Sequence, residues 1–274
     1  MATSYIIALL ATGIGVGFAS GLLGVGGCFI MIPVQYWVYT AMGIPPDVAI
    51  KVAFGTNLLV VLPTAASGAW GHSRKKAVWW KAGIVLGICG MVGAFGGATI
   101  ASYLPGEALK VAFGAVILAG GIRMLTARPP RVEEEPKDSV WLWVAWGIPI
   151  GIVTGIIGIG GGVLMVPIMA LALKFKMHNA VATSTAMMIF TSIGGVAGYI
   201  VNGLGISGLP PYSIGYVNLP SWFLLAVTSV GMAQVGVITA HKLPAKQLRW
   251  IFVAVMFYMG LKMIGVFSWL HLPI

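Results

Sequence analysis

The sequence predicts an all-α polytopic membrane protein, and three observations support that prediction. Of its 274 residues, 59% are apolar and 8% are charged, and the mean hydropathy is +0.98. A soluble domain carries about 25% charged residues, so a water-soluble globule is excluded. The net charge of +10 comes from single Lys and Arg residues scattered between apolar runs. We therefore expect no nucleic-acid partner and interpret the basic excess as a membrane-topology signal.

Apolar segments recur along the whole chain, and a spanning helix needs about 20 such residues. The candidate stretches are 4–44, 47–70, 78–104, 107–126, 140–173, 179–202, 220–241 and 245–269. The first and fifth stretches are too long for one crossing and contain glycine clusters near their middles. We expect each of these two stretches to form a glycine-broken hairpin, which either spans the bilayer fully or is re-entrant.

One polar linker, residues 127–139, interrupts the apolar pattern and holds four of the six acidic residues. Its prolines and charges are typical of a flexible joint. We divide the chain there into repeat 1, residues 1–126, and repeat 2, residues 140–274, with four to five membrane segments each.

The division rests on a duplication. A series of glycines and one proline in the first half recurs 134 residues later. The first series is Gly13, Gly17, Gly21, Gly24, Gly26, Gly27 and Pro33, and the second is Gly147, Gly151, Gly155, Gly158, Gly160, Gly161 and Pro167. Nearer the end of each half the offset is 139, as between Gly121 and Gly260. Both halves therefore follow one plan.

The positive-inside rule favours inverted repeats. If each glycine-broken hairpin returns to its starting face, thirteen of the sixteen basic residues share one face. Only Lys51, Lys110 and Lys262 then lie on the other face. This arrangement places the 127–139 linker in the cytoplasm and both termini outside, in a multi-pass protein of the cytoplasmic (inner) membrane. An eight-helix model with parallel repeats, which gives no charge bias, is the alternative.

The hairpin tips are candidate substrate-binding elements. Broken backbone at membrane depth survives only where it is buried in protein or lines a cavity. A helix that begins there directs free N–H groups and a partial positive charge into the cavity, where an anion can bind. We assign Gly24, Gly26, Gly27, Gly158, Gly160, Gly161 and Gly162 to this site. The earlier glycines, four residues apart, are expected to let helices pack closely.

A polar patch follows each hairpin within an apolar run. Thr56 and Asn57 form it in repeat 1, and Ser184 and Thr185 form it in repeat 2. Their hydroxyl and amide groups can donate to an oxyanion at the same site, or can hydrogen-bond between helices. Gln35, whose repeat partner is Met169, is a weaker candidate.

Residues that support catalysis or metal binding are missing from the apolar runs. Asp47 and Glu107 stand at segment starts, so a carboxylate-based sodium site or proton relay is not expected. Cys28 and Cys89 are too few for a disulfide framework or a zinc cluster. The sequence contains no Ser/His/Asp set, H-E-x-x-H motif or paired carboxylate. We predict no catalytic residues, no metal and no cofactor, and the protein is not expected to be an enzyme.

The tip sequences carry a family resemblance. Ser20–Pro33 and Thr154–Pro167 both contain Gly-x-x-Gly-x-Gly-Gly followed by an apolar run and proline. With the duplication and the short charged linker, these runs resemble the sulfite exporter TauE/SafE family, also called the toluene sulfonate uptake permease (TSUP) family. The resemblance implies movement of small sulfur-containing anions, such as sulfite, sulfoacetate or other organosulfonates. Cys28 departs from the third glycine of the family pattern.

The sequence therefore predicts a secondary transporter whose partners are a small anionic substrate and the lipid bilayer, working by alternating access. The resemblance favours export, and a negative-inside potential would itself drive anions outward at about 2.3 kcal/mol per charge per 100 mV. A passive anion channel is the alternative. The particular anion, proton coupling and the oligomeric state, including a homo-oligomer, stay open at this point.

Overall fold

The computed structural model describes residues 3–23, 26–126, 138–239 and 245–266. Gly24, most of the 127–139 linker and both termini lie outside these ranges. Ten helices occur in the described chain: α1 Thr3–Leu23, α2 Cys28–Ala41, α3 Pro46–Arg74, α4 Trp80–Tyr103, α5 Gly106–Thr126, α6 Val140–Ile157, α7 Gly162–Leu171, α8 Met177–Gly203, α9 Leu219–Thr239 and α10 Ala245–Ile264. Strands β1 Ser213–Ile214 and β2 Val217–Asn218 form a short antiparallel hairpin between α8 and α9.

Six of the described helices, α1, α3, α4, α6, α8 and α9, are long and apolar enough to cross a membrane. The prediction of an all-α polytopic membrane protein is therefore confirmed. Helices α2 and α7 are shorter, with 14 and 10 residues. Each short helix follows one of the glycine-rich tips, so the two overlong apolar stretches are each divided into a long and a short helix.

The first hairpin returns towards the place where it begins. The Tyr5 hydroxyl, at the start of α1, donates to the Ala41 carbonyl at the end of α2 (3.4 Å). The Tyr5 ring also lies 5.9 Å from the Trp37 ring. Gly27, just before α2, packs beside Val16 in the interior of α1. Helix α2 therefore starts well inside the bundle, level with the body of α1, and we call it and its counterpart α7 half-helices.

The second hairpin has the same form at the opposite end of the bundle. Asp138, just before α6, pairs with Lys81 at the start of α4 (2.8 Å). Phe175, just beyond α7, packs on Trp79 with ring centroids 5.1 Å apart. Gly161, before α7, lies beside Thr154 in the interior of α6. The beginning of α6 and the end of α7 thus lie together where α4 begins.

We call the two ends of the bundle the Tyr5 face and the Trp79 face. The Tyr5 face contains Tyr5, Ala41, Pro45, Ser102 and Gly208, and the Trp79 face contains Trp79, Lys81, Asp138 and Phe175. On the Tyr5 face, the Lys51 ammonium donates to the Ser102 carbonyl (3.0 Å) and to Asp47 (3.1 Å). These bonds join the end of α4 to the start of α3.

Two helix pairs pack through glycine. A Cβ added at Gly17 of α1 would lie 2.6 Å from Ser229 Cα of α9. A Cβ added at Gly151 of α6 would lie 2.8 Å from Gly90 Cα of α4. Such contacts leave no room for a side chain, so the close packing expected from the four-residue spacing is present.

Candidate anion-binding site at the hairpin tips

Both half-helices begin at a glycine in the left-handed region. Gly27 has φ +62° and Gly161 has φ +97°, and neither provides a side-chain cap for the helix that follows. Only glycine adopts this backbone without steric cost. In α2 the first residue is Cys28, whose side chain is fully buried at the start of the helix. In α7 the equivalent position is Gly162, which is buried and has no side chain to cover the amides.

The two tips meet in the bundle core. A Cβ at Gly26 would lie 3.7 Å from the Ile159 carbonyl and 3.5 Å from Met188 Sδ. Val61 of α3 lies beside both tips. Its side chain is 3.8 Å from the position of a Cβ added at Gly26 and 3.0 Å from the position of a Cβ added at Gly160. The structure therefore brings Gly26 and Gly160, predicted from separate repeats, to one place.

Asn57 holds the second tip directly. Its Nδ2 donates to the Gly158 carbonyl (2.5 Å), and its Oδ1 has no hydrogen-bond partner among the described residues. The Thr191 hydroxyl donates to the Gly160 carbonyl (2.8 Å). Thr154 Oγ1 lies 3.1 Å from the position of a Cβ at Gly161 and has no partner within the described ranges. The carbonyls of this tip are thus fixed by side chains.

The other three polar candidates make different contacts. Thr56 Oγ1 accepts from the Asn218 amide (2.9 Å). The hydroxyls of Ser184 and Thr185 both donate to the Val181 carbonyl of their own helix, at 2.9 and 2.8 Å. All three side chains are buried. Of the four residues Thr56, Asn57, Ser184 and Thr185, Asn57 is the one that hydrogen-bonds to a described tip residue in this conformation.

A loop covers the site towards the Tyr5 face. In the loop of residues 204–218 the last part turns inward, and Tyr216, Val217 and Asn218 are buried, whereas most of residues 204–214 are exposed. The Tyr216 ring packs edge-on against Tyr199, whose hydroxyl donates to the Gly155 carbonyl (2.9 Å). Burial, together with the Asp47 carboxylate, raises the pKa of Tyr216. The phenol therefore stays neutral at physiological pH, and the loop covers the tips with uncharged groups.

Sequence reasoning did not assign several residues that contact the tips. Tyr199 lies further along α8 than the Ser184 patch, and its polarity in an apolar run was the available signal. Thr191, one to two turns beyond that patch, is by contrast a candidate donor from the sequence alone. Val61 and Met188 carry no such signal, because apolar side chains there are ordinary for a membrane helix.

A separate groove of about 840 Å³ opens among α2, α5 and α10. Its lining includes Tyr36, Trp37, Lys110 and Lys262. Lys110 pairs with Glu107 (2.6 Å) and lies over the Tyr36 ring. Two of the three basic residues expected on the base-poor face therefore line one depression.

Half-helices that begin in the core of a membrane bundle are typical of secondary transporters. The family model described as Sulfite exporter TauE/SafE matches residues 9–263, and the chain belongs to this family. The predicted resemblance is confirmed.

Relatives over nearly the whole chain carry transporter names. A "Probable membrane transporter protein" of Methanocaldococcus jannaschii is 31% identical over 258 residues, covering 93% of this chain and 94% of the relative. One from Haemophilus influenzae is 26% identical, covering 90% and 93%. YunE of Bacillus subtilis, with the same description, is 27% identical, covering 97% and 100%. No solved structure gave a significant match. The family and these names indicate a multi-pass membrane transporter.

Proposed function

We propose that the protein is a secondary carrier that exports small sulfur-containing anions, sulfite or an organosulfonate such as sulfoacetate, across the cytoplasmic membrane. The observation that carries the proposal is the meeting of the two hairpin tips against Val61. Each tip precedes a half-helix whose N-terminus has no side-chain cap. The family description, Sulfite exporter TauE/SafE, supports the class of substrate.

The chemistry around the tips favours an anion over a cation. The side chains that reach the second tip, Asn57, Thr154 and Thr191, carry no charge. Among them the Thr154 hydroxyl has no partner in the described ranges and is free to donate. Helix N-termini add N–H donors and a partial positive charge. An anion can therefore bind without a buried lysine or arginine, whose charge would remain after the substrate leaves.

The proposal includes inverted repeats, residues 1–126 and 140–274, with the linker in the cytoplasm and both termini outside. Support comes from matched contacts. Gly17 packs on Ser229, and Gly151 packs on Gly90. The offset of 134 relates Gly17 to Gly151, and the offset of 139 relates Gly90 to Ser229. The two hairpins also return to different ends of the bundle, one at Tyr5 and the other at Trp79. Two oppositely oriented copies of one unit suit alternating access.

The closed packing of the tips favours a carrier over a channel. Val61 lies beside both tips, Met188 lies beside Gly26, and the buried residues 215–218 lie towards the Tyr5 face. A carrier passes through such an occluded state in every cycle. In a channel these residues would have to move apart to leave a continuous path for the anion across the membrane.

Transport in proteoliposomes tests the proposal. The purified protein is reconstituted, loaded with sulfite or sulfoacetate, and efflux is measured for the natural chain, Asn57→Leu and Asn202→Leu. Asn57→Leu should reduce the initial rate about tenfold or more, because it leaves the buried Gly158 carbonyl without its donor, which costs about 1–3 kcal/mol and displaces the tip. Asn202→Leu is the matched control, since Asn202 lies towards the Tyr5 face and donates to Thr99 (3.0 Å).

Two results would contradict the proposal. Equal flux for the natural chain and Asn57→Leu would remove the tips as the binding site. Efflux that is not stimulated by the same anion on the opposite side, with large unitary currents, would replace the carrier with a channel.

A further inference from the structure

A second buried polar cluster lies beside the tips, between α2, α3 and the start of α9. It consists of Gln35, Tyr39, Thr56, Asn218 and Ser221, all fully buried. The Tyr39 hydroxyl donates to Gln35 Oε1 (3.3 Å) and lies next to the hydroxyls of Ser221 and Thr56. The Ser221 amide donates to Asn218 Oδ1 (3.1 Å). Thr56 precedes Asn57 in the chain, so the cluster adjoins the tip site.

Hydrogen-bonding capacity in this cluster is left unused. Gln35 Nε2 and Ser221 Oγ have no partner in the part of the chain that the structure describes. A buried polar group without a partner costs folding free energy, and such a group calls for a reason. The buried polar groups can serve the fold, or they can bind a ligand that supplies the missing hydrogen-bond acceptors.

The chain provides its own comparison for a structural role. By the repeat offsets, Gln35 and Tyr39 correspond to Met169 and Leu173, and Ser221 corresponds to Ala82. These three residues are fully buried in an apolar cluster near the Trp79 face. Apolar residues therefore fill the equivalent space in the other half.

The backbone around the two equivalent places is held in the same way. The Asn218 amide donates to Thr56 Oγ1 (2.9 Å), and the Trp79 amide donates to Thr183 Oγ1 (3.0 Å). The shared bond keeps the threonine in place on both sides. Since the local frame is the same, the polarity of Gln35, Tyr39 and Ser221 is not needed to form it.

We infer that Gln35, Tyr39 and Ser221 form a second oxyanion-binding site, which receives the transported anion between the tips and the Tyr5 face. The inference rests on the proposed function. The groups left free are the Gln35 Nε2 N–H and the Ser221 O–H, and Tyr39 holds Gln35 through its Oε1. Both free groups can donate to an anion's oxygens, and the amide N–H can only donate. None of the five cluster residues carries a charge, so the site holds the anion by neutral hydrogen bonds and can release it. The missing polar residues near the Trp79 face make the two halves of the route unequal.

The test uses the residues that the other half carries, Ser221→Ala and Gln35→Met, the latter combined with Tyr39→Phe, with Ser102→Ala as control. Ser102 is a serine at the Tyr5 face whose hydroxyl bonds within α4. Without anion, Ser221→Ala and the pair Gln35→Met/Tyr39→Phe should unfold at the natural chain's temperature or above it, because each removes an unpaired buried polar group and leaves no hydrogen-bond partner of it behind. Sulfite or sulfoacetate should raise the unfolding temperature of both variants less than it raises that of the natural chain.

Transport from each side gives the second readout. In membrane vesicles of the two orientations, the variants should raise the half-saturating anion concentration about tenfold from the Tyr5 face, as expected for a lost hydrogen bond to an anion. From the Trp79 face the concentration should change less than about twofold, because the cluster is reached only after the tips. Ser102→Ala should leave both values unchanged.

The outcomes separate this inference from the proposed function. If the natural chain moves no anion, both fail. If it moves anions and Asn57→Leu stops it, but the cluster variants shift both faces equally or neither, the second site alone is rejected. Loss of unfolding temperature in Ser221→Ala or in Gln35→Met/Tyr39→Phe without anion would show that the polarity is structural, which also overturns the inference.

Discussion

Gly158 and Gly26 test how strictly the tips require glycine. Both have positive φ, +65° and +73°, so alanine at either position costs about 1–2 kcal/mol. A Cβ at Gly158 would also lie 2.6 Å from Phe54 Cβ, whereas the nearest atom to one at Gly26 is 3.5 Å away. Gly158→Ala should therefore lose about 1–3 kcal/mol more through overpacking. Denaturant unfolding in detergent measures the difference, and equal losses would contradict the described contacts of Gly158.

At the scale of single residues, the sequence predicted positions with a backbone signal better than positions defined by shape. Clustered glycines before an apolar run indicated the tips, and Gly27 and Gly161 indeed have positive φ. Asn57 was found because an amide is unusual in a membrane helix. Val61 was not, since its contact with both tips depends on how α3 crosses the two hairpins.

At the scale of elements, two glycines of α1 test the packing of this helix on α9. A Cβ at Gly17 would overlap the Ser229 backbone, whereas one at Gly15 meets nothing within 4 Å in the described structure. Alanine favours a helix over glycine by about 1 kcal/mol. Gly15→Ala should therefore keep or raise the unfolding temperature in detergent. Gly17→Ala should lower it, because α1 and α9 must separate. A harmless Gly17→Ala would contradict this packing.

The hairpins were predictable as elements, and their depth was not. An apolar run of 41 residues with glycines in the middle is too long for one crossing. Whether the second arm begins at the far end or part-way depends on residues 24–27, whose path the pattern does not determine. The inward fold of residues 215–218 was also missed, because polar loops normally stay at the surface. Its burial depends on Asn218 meeting Thr56 from another part of the chain.

At the scale of the whole molecule, charge supplied what local patterns could not. Glycine spacing relates the halves but is the same for parallel and inverted copies. The distribution of lysine and arginine favoured inversion, because it depends on which loops share a face. The contacts of Tyr5 with Ala41 and of Trp79 with Phe175 support the same arrangement. The repeat offsets also relate single residues of the two halves. The cluster of Gln35, Tyr39 and Ser221 is polar, whereas the equivalent residues near the Trp79 face are apolar.

Labelling of the two equivalent loops tests inversion in the membrane. Lys75, between α3 and α4, and Ser207, between α8 and α9, occupy matching connections in the two halves and are both exposed. In a Cys89→Ser background, a membrane-impermeant thiol reagent should label Ser207→Cys in intact cells and Lys75→Cys only after permeabilisation. Cys28 is fully buried and should stay unlabelled. The Cys89→Ser chain without a new cysteine is therefore the negative control. Parallel repeats would place both loops on one side, so labelling of both in intact cells, or of neither, would contradict the inverted arrangement and the alternating-access mechanism that depends on it.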